Sequence, residues 1–509
     1  MSLFTHDATY YSNQIKRREV TATELVERAF KNIKSLDDKL NSVIHIQEAE
    51  AFEKAKSYDE HIVSLSDKER ATLPHFYGVP ILIKDLGQSE EGQPAINGSK
   101  LFKDNIAKST DNFVQAIIDA GYIIVGRTNV PEFGFKGLTD PELFGHTYSP
   151  IGHGLSSGGS SGGSSGGSGA AVKAGFVPIA TAGDGGGSIR IPASFNGLIG
   201  LKPTRGRIVT GPDGYRSWQG ASVDFVLSKS VADTFETLKL TSNQVLESPY
   251  LAPDQLPETI TATDKKLRIA YSHKSPVGSE IEQDAIDALN KTVEILKSLG
   301  HEVVEDAPVV DGKRAMETYF QMNMVETAAM FKGIELSIGR DITKDDVELV
   351  SYGMYKAGDR VKGWQYVHAL NSWDQLSAQY HQFLDKNNYD FFLTPTINGT
   401  SVPVDAFDIN DDIRDRLERI DELEDEEAFG IFGELFTDSL AKIPYTQHAN
   451  LTGQPALSLP LYETKDKLPV GSMFVARKGG EAALLELALQ IENAGFIKSD
   501  IIDLNENPI

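Results

Sequence analysis

The sequence contains no cysteine among its 509 residues. This absence excludes disulfide bonds, thiolate catalysis and cysteine-ligated metal sites. The eleven histidines are scattered, and none stands in an HExxH or comparable ligand spacing. We therefore predict no metal site and no cofactor for this protein.

Long apolar runs and an excess of positive charge are also missing. No run approaches the roughly 18 apolar residues that a membrane-spanning helix needs. The N-terminal segment lacks the basic stretch followed by an apolar run that marks a secretory signal. The chain has 73 acidic and 49 basic residues, and its net charge of -24 repels nucleic-acid phosphate and anionic lipid. These features predict a cytoplasmic protein without nucleic-acid or membrane partners.

What is present is an alternation of helices and short apolar strands. Thr21 and Glu24 have the spacing of a capping box at the start of a helix. The run 79–83 is short, apolar and β-branched, predicts a buried strand, and ends directly before Lys84. Helical and strand-like segments then alternate along the chain, among them "DAIDALNKTVEILKSLG" and "DFFLTPTI". The pattern predicts an α/β fold with a largely buried sheet.

The segment 408–430 is strongly acidic and reads "DINDDIRDRLERIDELEDEEAFG". Charge of this density is typical of a helix whose outer face is solvated. A mobile lid over a functional site is the alternative interpretation. The sequence therefore predicts an acidic helical insert or lid at this place and leaves its role open.

The run "LSSGGSSGGSSGGSGAAV" at 155–172 is built almost wholly of serine and glycine in a four-residue repeat. Such a composition is typical of a flexible linker between domains. Three features favour a functional site instead. The run passes directly into an Ala/Val-rich helical pattern, a second glycine cluster follows at 183–188, and Lys84 ends a buried strand about 80 residues earlier.

Glycine clusters that end in serine bring backbone N–H groups close to a ligand. Phosphate binding and acyl transfer both use this arrangement. The Walker pattern GxxxxGK[ST] is absent, and no GxGxxG stands convincingly between a strand and a helix. Acyl transfer by a serine nucleophile, with an oxyanion hole of neighbouring N–H groups, is therefore favoured over phosphate binding.

Long motifs occur in a fixed order and are mutually spaced. They are "GVPILIKD" at 78–85, "GRTNVPEFG" at 126–134, "GGSSGGS" at 162–168, "GDGGGSIRIPA" at 183–193 and "GLKPT" at 200–204. In this order they resemble the amidase signature family, and the similarity continues to "NLTGQPALSLPLY" near the C-terminus. The resemblance therefore covers most of the chain.

The resemblance implies both the fold and the catalytic groups. It implies a single amidase domain over 1–509, with a mixed twisted β-sheet core surrounded by helices. The signature core that carries the catalytic groups is expected at 70–235. A Ser–Ser–Lys triad is implied, in which Lys84, Ser164 and Ser188 are the catalytic residues and Ser188 is the nucleophile.

The chemistry of the implied triad is coherent. A serine hydroxyl needs a base, and a lysine serves only if burial or nearby charge brings its pKa down from about 10.4 toward neutrality. We expect neutral Lys84 to take a proton from Ser164 while Ser164 takes one from Ser188, which attacks the amide carbonyl. The resemblance also implies a cis peptide bond between Gly163 and Ser164. The predicted oxyanion-hole donors are the backbone N–H groups of Gly185, Gly186, Gly187 and Ser188.

Other motif residues are predicted to support the site rather than to react. Asp184 and Arg190 flank the nucleophile and resemble structural supports of the family, joined by a salt bridge or hydrogen bond that fixes the loop. Thr128 and Asn129 are expected to position the site rather than to bind substrate. Lys202 of "GLKPT" is likewise assigned a structural role.

The sequence departs from the family pattern in three places. The usual "TDTGGS" is "GDGGGS" here, so Gly183 and Gly185 replace bulkier residues, and we expect a less stiff loop near the oxyanion hole. An "NPW" motif before the serine loop is replaced by "YSPIGH". The additional "SSGGSSGG" from Ser156 is predicted to be a tolerated surface insertion, because loops accept extra length at small cost.

The leading hypothesis is a stand-alone amidase that hydrolyses the C–N bond of small carboxylic amides through an acyl-enzyme intermediate. Its partner would be a small-molecule amide, and a homodimer is left open. Oligoamides, carbamates and esters are not distinguished as substrates. The second hypothesis is the amidase-like subunit of a tRNA-dependent amidotransferase, which would act on glutamine with partner subunits. The retained triad disfavours an inactive binding module, and motif continuity disfavours an artificial fusion.

Overall fold

One mixed β-sheet organises the molecule. The computed structural model describes residues 3–151, 158–242, 245–497, 500–502 and 504. Over these ranges the strands are β1 Val43–Ile46, β2 Pro80–Lys84, β3 Ile123–Thr128, β4 Ala180–Asp184, β5 Ile199–Lys202, β6 Val223–Ser228, β7 Arg268–Tyr271, β8 Glu302–Glu305, β9 Phe391–Pro395, β10 Ala456–Glu463 and β11 Pro469–Val475. They form a single sheet in the order β1-β3-β2-β4-β6-β5-β10-β11-β9-β7-β8.

Helices surround this sheet. They are α1 Ala8–Lys16, α2 Ala22–Leu36, α3 Glu48–Val63, α4 Asp67–Arg70, α5 Asn112–Asp119, α6 Gly166–Lys173, α7 Arg190–Asn196, α8 Val231–Thr241, α9 Gln283–Ser298, α10 Gly312–Ile338, α11 Leu349–Gly358, α12 Gly363–Lys386, α13 Asp411–Glu418, α14 Asp425–Leu435, α15 Thr437–Lys442, α16 Gln447–Thr452 and α17 Glu481–Asn493. Across the described ranges, no helix combines the length and the apolarity that crossing a lipid bilayer requires.

The predicted α/β class, a mixed sheet surrounded by helices, is confirmed. The capping box at the start of α2 is present, with the Thr21 hydroxyl accepting from the Glu24 N–H and the Glu24 carboxylate accepting from the Thr21 N–H. The apolar run predicted at 79–83 forms most of β2, which also takes in Lys84, and all five residues of the strand are buried. Burial on both faces explains why this strand reads as a continuous apolar run rather than an alternating one.

Three parallel strands bring the signature motifs to one edge of the sheet. β2 lies between β3 and β4 and is parallel to both. Their last residues are Lys84, Thr128 and Asp184. Because parallel strands end on the same side, segments far apart in sequence meet at this edge. β6 runs antiparallel to β4 and begins at Val223, so its first residues join the same edge.

From Gly159 onward, the Ser/Gly repeat is part of the core rather than a linker. Residues 159–173 are all buried, and α6 begins within the repeat at Gly166. Gly167 has to be glycine, since a Cβ there would lie 2.5 Å from the Asn129 backbone nitrogen. The close approach of α6 to the end of β3 therefore depends on the glycine content of the repeat.

The acidic segment forms α13 and the start of α14. Ile413, Leu417 and Phe432 are buried and pack with α10 and α11 in one apolar cluster. The carboxylates of this segment lie mostly on the exposed faces of the two helices. This arrangement is that of an amphipathic helix pair with a solvated outer face.

The longest helix in the described ranges, α10, does not follow from the sequence pattern. It has 27 residues, and apolar, small and polar side chains are mixed around it. One part of the helix packs against α11 and another faces the cavity described below, so its apolar positions do not repeat on a single stripe. The pattern therefore lacks the periodicity on which helix prediction depends.

Candidate active site

A cavity of about 760 Å³ opens at the edge of the sheet where β2 and β4 end. Lys84, Ser164 and Ser188, which the sequence analysis places in one triad, all line it. Gly183, Gly185 and Gly186 line it as well. The structure thus brings three separate sequence motifs to a single concave surface.

Lys84 is the last residue of β2 and is 1% exposed. Its Nζ donates to Ser164 Oγ at 2.8 Å and to the Gly183 carbonyl oxygen at 3.2 Å. Burial lowers the pKa of Lys84 to about 8, although the negative charges of Asp224 and Asp184 act in the opposite direction. A lysine in this state is deprotonated far more often at neutral pH than one in water, and can serve as a base.

Ser164 is held between Lys84 and the start of α6. The peptide bond between Gly163 and Ser164 is cis, as the resemblance implies. The preceding carbonyl of Gly162 accepts from Thr139 Oγ1 at 2.9 Å. The neighbouring Ser165 bonds the backbone of Gly183 through its hydroxyl at 3.2 Å. These contacts fix the hydroxyl of Ser164 against the lysine amine.

Ser188 stands in the turn between β4 and α7, and 9% of its surface is exposed. Its hydroxyl forms no hydrogen bond with any residue that the structure describes, and it lines the cavity. A buried serine in a turn ordinarily bonds a neighbouring backbone group. An unengaged hydroxyl at a cavity wall is free to rotate toward a substrate carbonyl or toward Ser164.

The backbone N–H groups of residues 185–188 fall into two sets, those without a hydrogen-bond acceptor and one that is already bonded. Within the described part of the chain, the N–H groups of Gly185, Gly186 and Ser188 have no acceptor. The Gly187 N–H, in contrast, donates to Asp184 Oδ1 at 2.7 Å. This bond removes Gly187 from the predicted set of oxyanion donors, because the carboxylate occupies its only N–H.

Asp184 and Arg190 form a fully buried ion pair beneath this turn. Both guanidinium contacts to the carboxylate measure 2.9 Å. Asp184 also accepts from Asn450 Nδ2 at 2.8 Å and from the Ile189 N–H at 3.2 Å. Burial alone would raise the pKa of Asp184, but the charge and hydrogen bonds of Arg190 and the bond from Asn450 lower it to about 2. The pair clamps the turn and does not line the cavity.

Thr128 and Asn129 hold backbone segments around the site. Thr128 Oγ1 lies 2.8 Å from Ser168 Oγ, and the Ser168 hydroxyl donates to the Thr181 carbonyl at 2.7 Å. Asn129 Nδ2 donates to the Gly145 carbonyl at 3.1 Å. Neither residue lines the cavity. Lys202 is also buried away from it and donates to the Pro203 carbonyl.

The expectation of a surface insertion is wrong for the described part of the additional repeat. Ser160 and Ser161 are buried, and the Ser160 N–H donates to the Val402 carbonyl at 2.8 Å. Asn196 Nδ2 donates to the Ser161 carbonyl at 3.0 Å. Residues 152–157, which include the start of the repeat and the end of "YSPIGH", lie outside the described residues. The described part of the additional repeat therefore packs between α7 and the segment around Val402 and does not extend into solvent.

The space left by Gly183 and Gly185 is filled from across the sheet edge. A Cβ on Gly183 would lie 2.9 Å from Asp224 Oδ1, and a Cβ on Gly185 would lie 2.8 Å from the Trp218 ring. Sequence reasoning missed both side chains. A weak signal was available for Asp224, since it is a lone carboxylate inside the apolar strand "VDFVLS". No comparable signal marks Trp218.

The cavity wall is aromatic and acidic. Trp218 stacks on Phe135 and meets Tyr319 edge-on, with ring centroids 6.3 Å apart in both cases. In the described part of the chain, Lys84 is the only basic side chain that lines the cavity. The carboxylates that line the cavity are those of Asp111, Asp213, Asp224 and Glu326.

Comparison with known proteins decides the family. The Amidase family model matches residues 24–485. The chain belongs to the amidase signature family. Its relatives include a lipoamidase of Enterococcus faecalis, 35% identical over 94% of this chain; the chain spans 62% of the length of that lipoamidase. A 6-aminohexanoate-cyclic-dimer hydrolase of Paenarthrobacter ureafaciens is 31% identical, and the alignment covers 96% of this chain and 94% of that hydrolase.

Solved amidases share the architecture. The structure of 6-aminohexanoate cyclic dimer hydrolase superposes with a TM-score of 0.85 at 29% identity and covers 98% of both chains. An amidase signature aryl acylamidase superposes with a TM-score of 0.80 at 22% identity, which shows the shared fold. By its family and its relatives, the chain is classed with the hydrolases of amide C–N bonds.

Proposed function

We propose that this amidase hydrolyses small, uncharged or cationic carboxylic amides through an acyl-enzyme on Ser188, with Lys84 as the base and Ser164 as the bridge. The observation that carries the proposal is the 2.8 Å bond between the Lys84 amine and the Ser164 hydroxyl at the wall of the cavity that Ser188 also lines. Membership of the amidase signature family supports the same assignment.

The lysine supplies the driving force for nucleophile activation. With a pKa of about 8, about one Lys84 in ten is neutral at pH 7, against fewer than one in a thousand for a lysine in water. Neutral Lys84 takes the proton of Ser164, and Ser164 takes the proton of Ser188. The Ser188 oxygen then forms a bond with the amide carbon.

The oxyanion and the leaving group complete the cycle. The tetrahedral oxygen accepts from the unengaged N–H groups among Gly185, Gly186 and Ser188, where preorganised donors stabilise developing charge. The C–N bond breaks as the proton held by Lys84 returns through Ser164 to the leaving nitrogen. A water molecule, deprotonated by the same relay, then releases the carboxylic acid from Ser188.

The cavity lining supports a proposal about the substrate class. Its aromatic wall suits an apolar acyl or amine chain, and buried aromatic surface is the main source of such affinity. Among the residues that the structure describes, a substrate carboxylate would meet four carboxylates and no cationic side chain except Lys84. We therefore propose aliphatic amides and cyclic oligoamides as substrates, in line with the names of the lipoamidase and the cyclic-dimer hydrolase relatives.

The amidotransferase hypothesis is less well supported by the same lining. Glutamine carries an α-carboxylate, whose recognition in proteins commonly uses arginine. Within the described residues, no arginine side chain lines the cavity. Esters and carbamates fit the same chemistry and are an outcome of the substrate test.

The test is labelling with a fluorophosphonate followed by intact-mass and peptide-map analysis, alongside turnover of an amide, ester and carbamate panel. We expect one adduct, on Ser188, and turnover of uncharged aliphatic amides. Ser188→Ala is expected to lose at least about 1,000-fold in kcat while it keeps its fold. Lys84→Ala is expected to label much more slowly, and the exposed Ser64→Ala serves as control. Full labelling of the Ser188 or Lys84 variant contradicts the assignment.

A further inference from the structure

We infer that Asp224 is a positioning residue for Lys84. The carboxylate of Asp224 stabilises the ammonium group that forms on Lys84 when the lysine holds the proton of the nucleophile. The inference rests on the proposed function of the triad. It concerns a residue outside the triad motifs, on a strand that faces them. Asp224 takes no proton itself in the cycle, and the proton moves only among Ser188, Ser164, Lys84 and the leaving nitrogen.

Asp224 and Lys84 lie on either side of the space that Gly183 leaves empty. Asp224 is the second residue of β6 and pairs in register with Gly183 of β4. The position that a Cβ on Gly183 would take is 2.9 Å from Asp224 Oδ1 and 3.7 Å from Lys84 Nζ. The related motif usually carries threonine here, a side chain that would separate the two groups. In this chain the carboxylate and the amine face each other across that gap.

A hydrogen-bonded network aims the carboxylate. Gln88 Nε2 donates to Asp224 Oδ1 at 2.8 Å and to the Ala182 carbonyl at 3.0 Å. Gln88 Oε1 accepts from Thr181 Oγ1, which in turn accepts from the Lys84 N–H at 2.8 Å. The backbone of the base and the carboxylate that faces it are therefore tied to one amide side chain. Such a network preorganises the pair.

Of the two carboxylates that face Lys84 in the described part of the chain, Asp224 is the one that no arginine neutralises. The carboxylates of Asp224 and Asp184 both face Lys84, but Asp184 is engaged by Arg190. Asp224 is faced by Lys84 and Asp111, and among the described residues no lysine or arginine, Lys84 included, comes within the 4 Å of a direct ion pair with it. Burial raises the pKa of Asp224 to about 7, so its carboxylate is mostly ionised at the higher pH at which Lys84, with a pKa of about 8, is largely neutral.

The decisive variant is Asp224→Asn, which keeps an acceptor for Gln88 and removes the charge. Loss of a negative charge facing Lys84 lowers the pKa of the lysine. The acid limb of kcat/KM is therefore expected to move to lower pH by about half a unit to one unit. The plateau rate of Ser188 acylation is expected to fall about 10-fold, because the ammonium formed on Lys84 loses its counter-charge. KM is expected to change less than about twofold.

A second variant guards against a failure of the first to fold. Gly183→Ala introduces a Cβ at the point between the two groups and displaces the carboxylate without removing it. The acid limb of kcat/KM of this variant is expected to move to lower pH by a smaller amount than that of Asp224→Asn. The exposed Asp104→Asn is the control, with no movement of the limb. Asp224→Glu is expected to recover part of the plateau rate.

The measurement is the pH dependence of fluorophosphonate labelling of Ser188 and of amide turnover, with thermal unfolding of each variant. A rate loss in Asp224→Asn that is equal at all pH values, or an unmoved limb in both variants, overturns the inference. If Ser188→Ala and Lys84→Ala also behave as wild type, the proposed function has failed. If those two behave as expected, only the role of Asp224 has failed.

Discussion

At the scale of single residues, the site depends on which polar groups are engaged and which are left free. Asp184 makes hydrogen bonds with four partners, whereas the Ser188 hydroxyl has none among the described residues. Buried polar groups that are fully engaged stabilise a loop, and unengaged ones at a cavity are available for chemistry. The Ser188 turn contains both kinds within five residues.

Lys84 predicts the pH dependence of the reaction. Its pKa of about 8 lies below the value of about 10.4 for a lysine in water. Only the neutral amine accepts a proton, so kcat/KM for an uncharged amide is expected to rise from pH 6 and to level off above about pH 9. A pH profile with a non-ionising substrate checks this. A rate that is flat between pH 6 and 9 contradicts Lys84 as the base.

The buried ion pair predicts a large stability effect. Asp184→Asn leaves the Arg190 charge uncompensated in the core, and the free energy of unfolding is expected to fall by about 3–5 kcal/mol. Denaturant unfolding of this variant beside the exposed Asp104→Asn measures the difference. A loss within about 0.5 kcal/mol of the control would show that the pair does not stabilise the turn.

The same pair gives the sign of an acid effect. The folded pKa of Asp184, about 2, is below the value of about 3.9 in an unfolded chain. Its contribution to stability is therefore present above about pH 4 and is lost as the pH falls toward 2. Asp184→Asn is expected to show less of this loss than wild type between those two values. Unfolding at several pH values measures it.

At the scale of secondary-structure elements, the sequence predicted best what is local. β2, β3 and α6 could be predicted because apolar runs, glycine punctuation and helical periodicity act over a few residues. The pairing of Gly183 with Asp224 could not, since it joins β4 to a strand about 40 residues further on. The same holds for Trp218 and Tyr319, which reach the cavity from a 3₁₀ turn and from α10.

The helix pair α13 and α14 allows a prediction about the acidic segment. No residue of 408–430 lines the triad cavity, and Leu417 is fully buried against α11. Leu417→Ala is expected to lower the free energy of unfolding by about 2–5 kcal/mol. Replacement of the exposed Asp411, Asp412 and Asp415 by Asn is expected to leave kcat/KM within about twofold. A larger loss of kcat/KM in the Asn variant would favour a lid.

At the scale of the whole molecule, the proposed catalytic groups and most of the remaining cavity wall come from different parts of the chain. The three residues of the proposed triad lie within residues 84–188, at one edge of the sheet. Most of the remaining cavity wall comes from residues 206–224 and from the face of α10 that carries Tyr319, Glu326 and Met330. The three residues of the proposed triad could be picked out from motifs of a few residues, and the structure brings them to one cavity. The wall could not, because it exists only after α10 has packed across the sheet edge.

The Ser/Gly repeat has a consequence for how this site can change. Residues 156–167 are three identical copies of "SSGG", so the loss of any one copy yields the same polypeptide. The protein sequence therefore cannot show which copy was inserted or deleted when the length of this stretch changes. The serine that meets the lysine is the one at a fixed distance before α6, whichever copy was gained or lost upstream. Gain or loss of a copy therefore changes the length of the segment that leads to the site, and the two serines directly before α6, here Ser164 and Ser165, are retained each time.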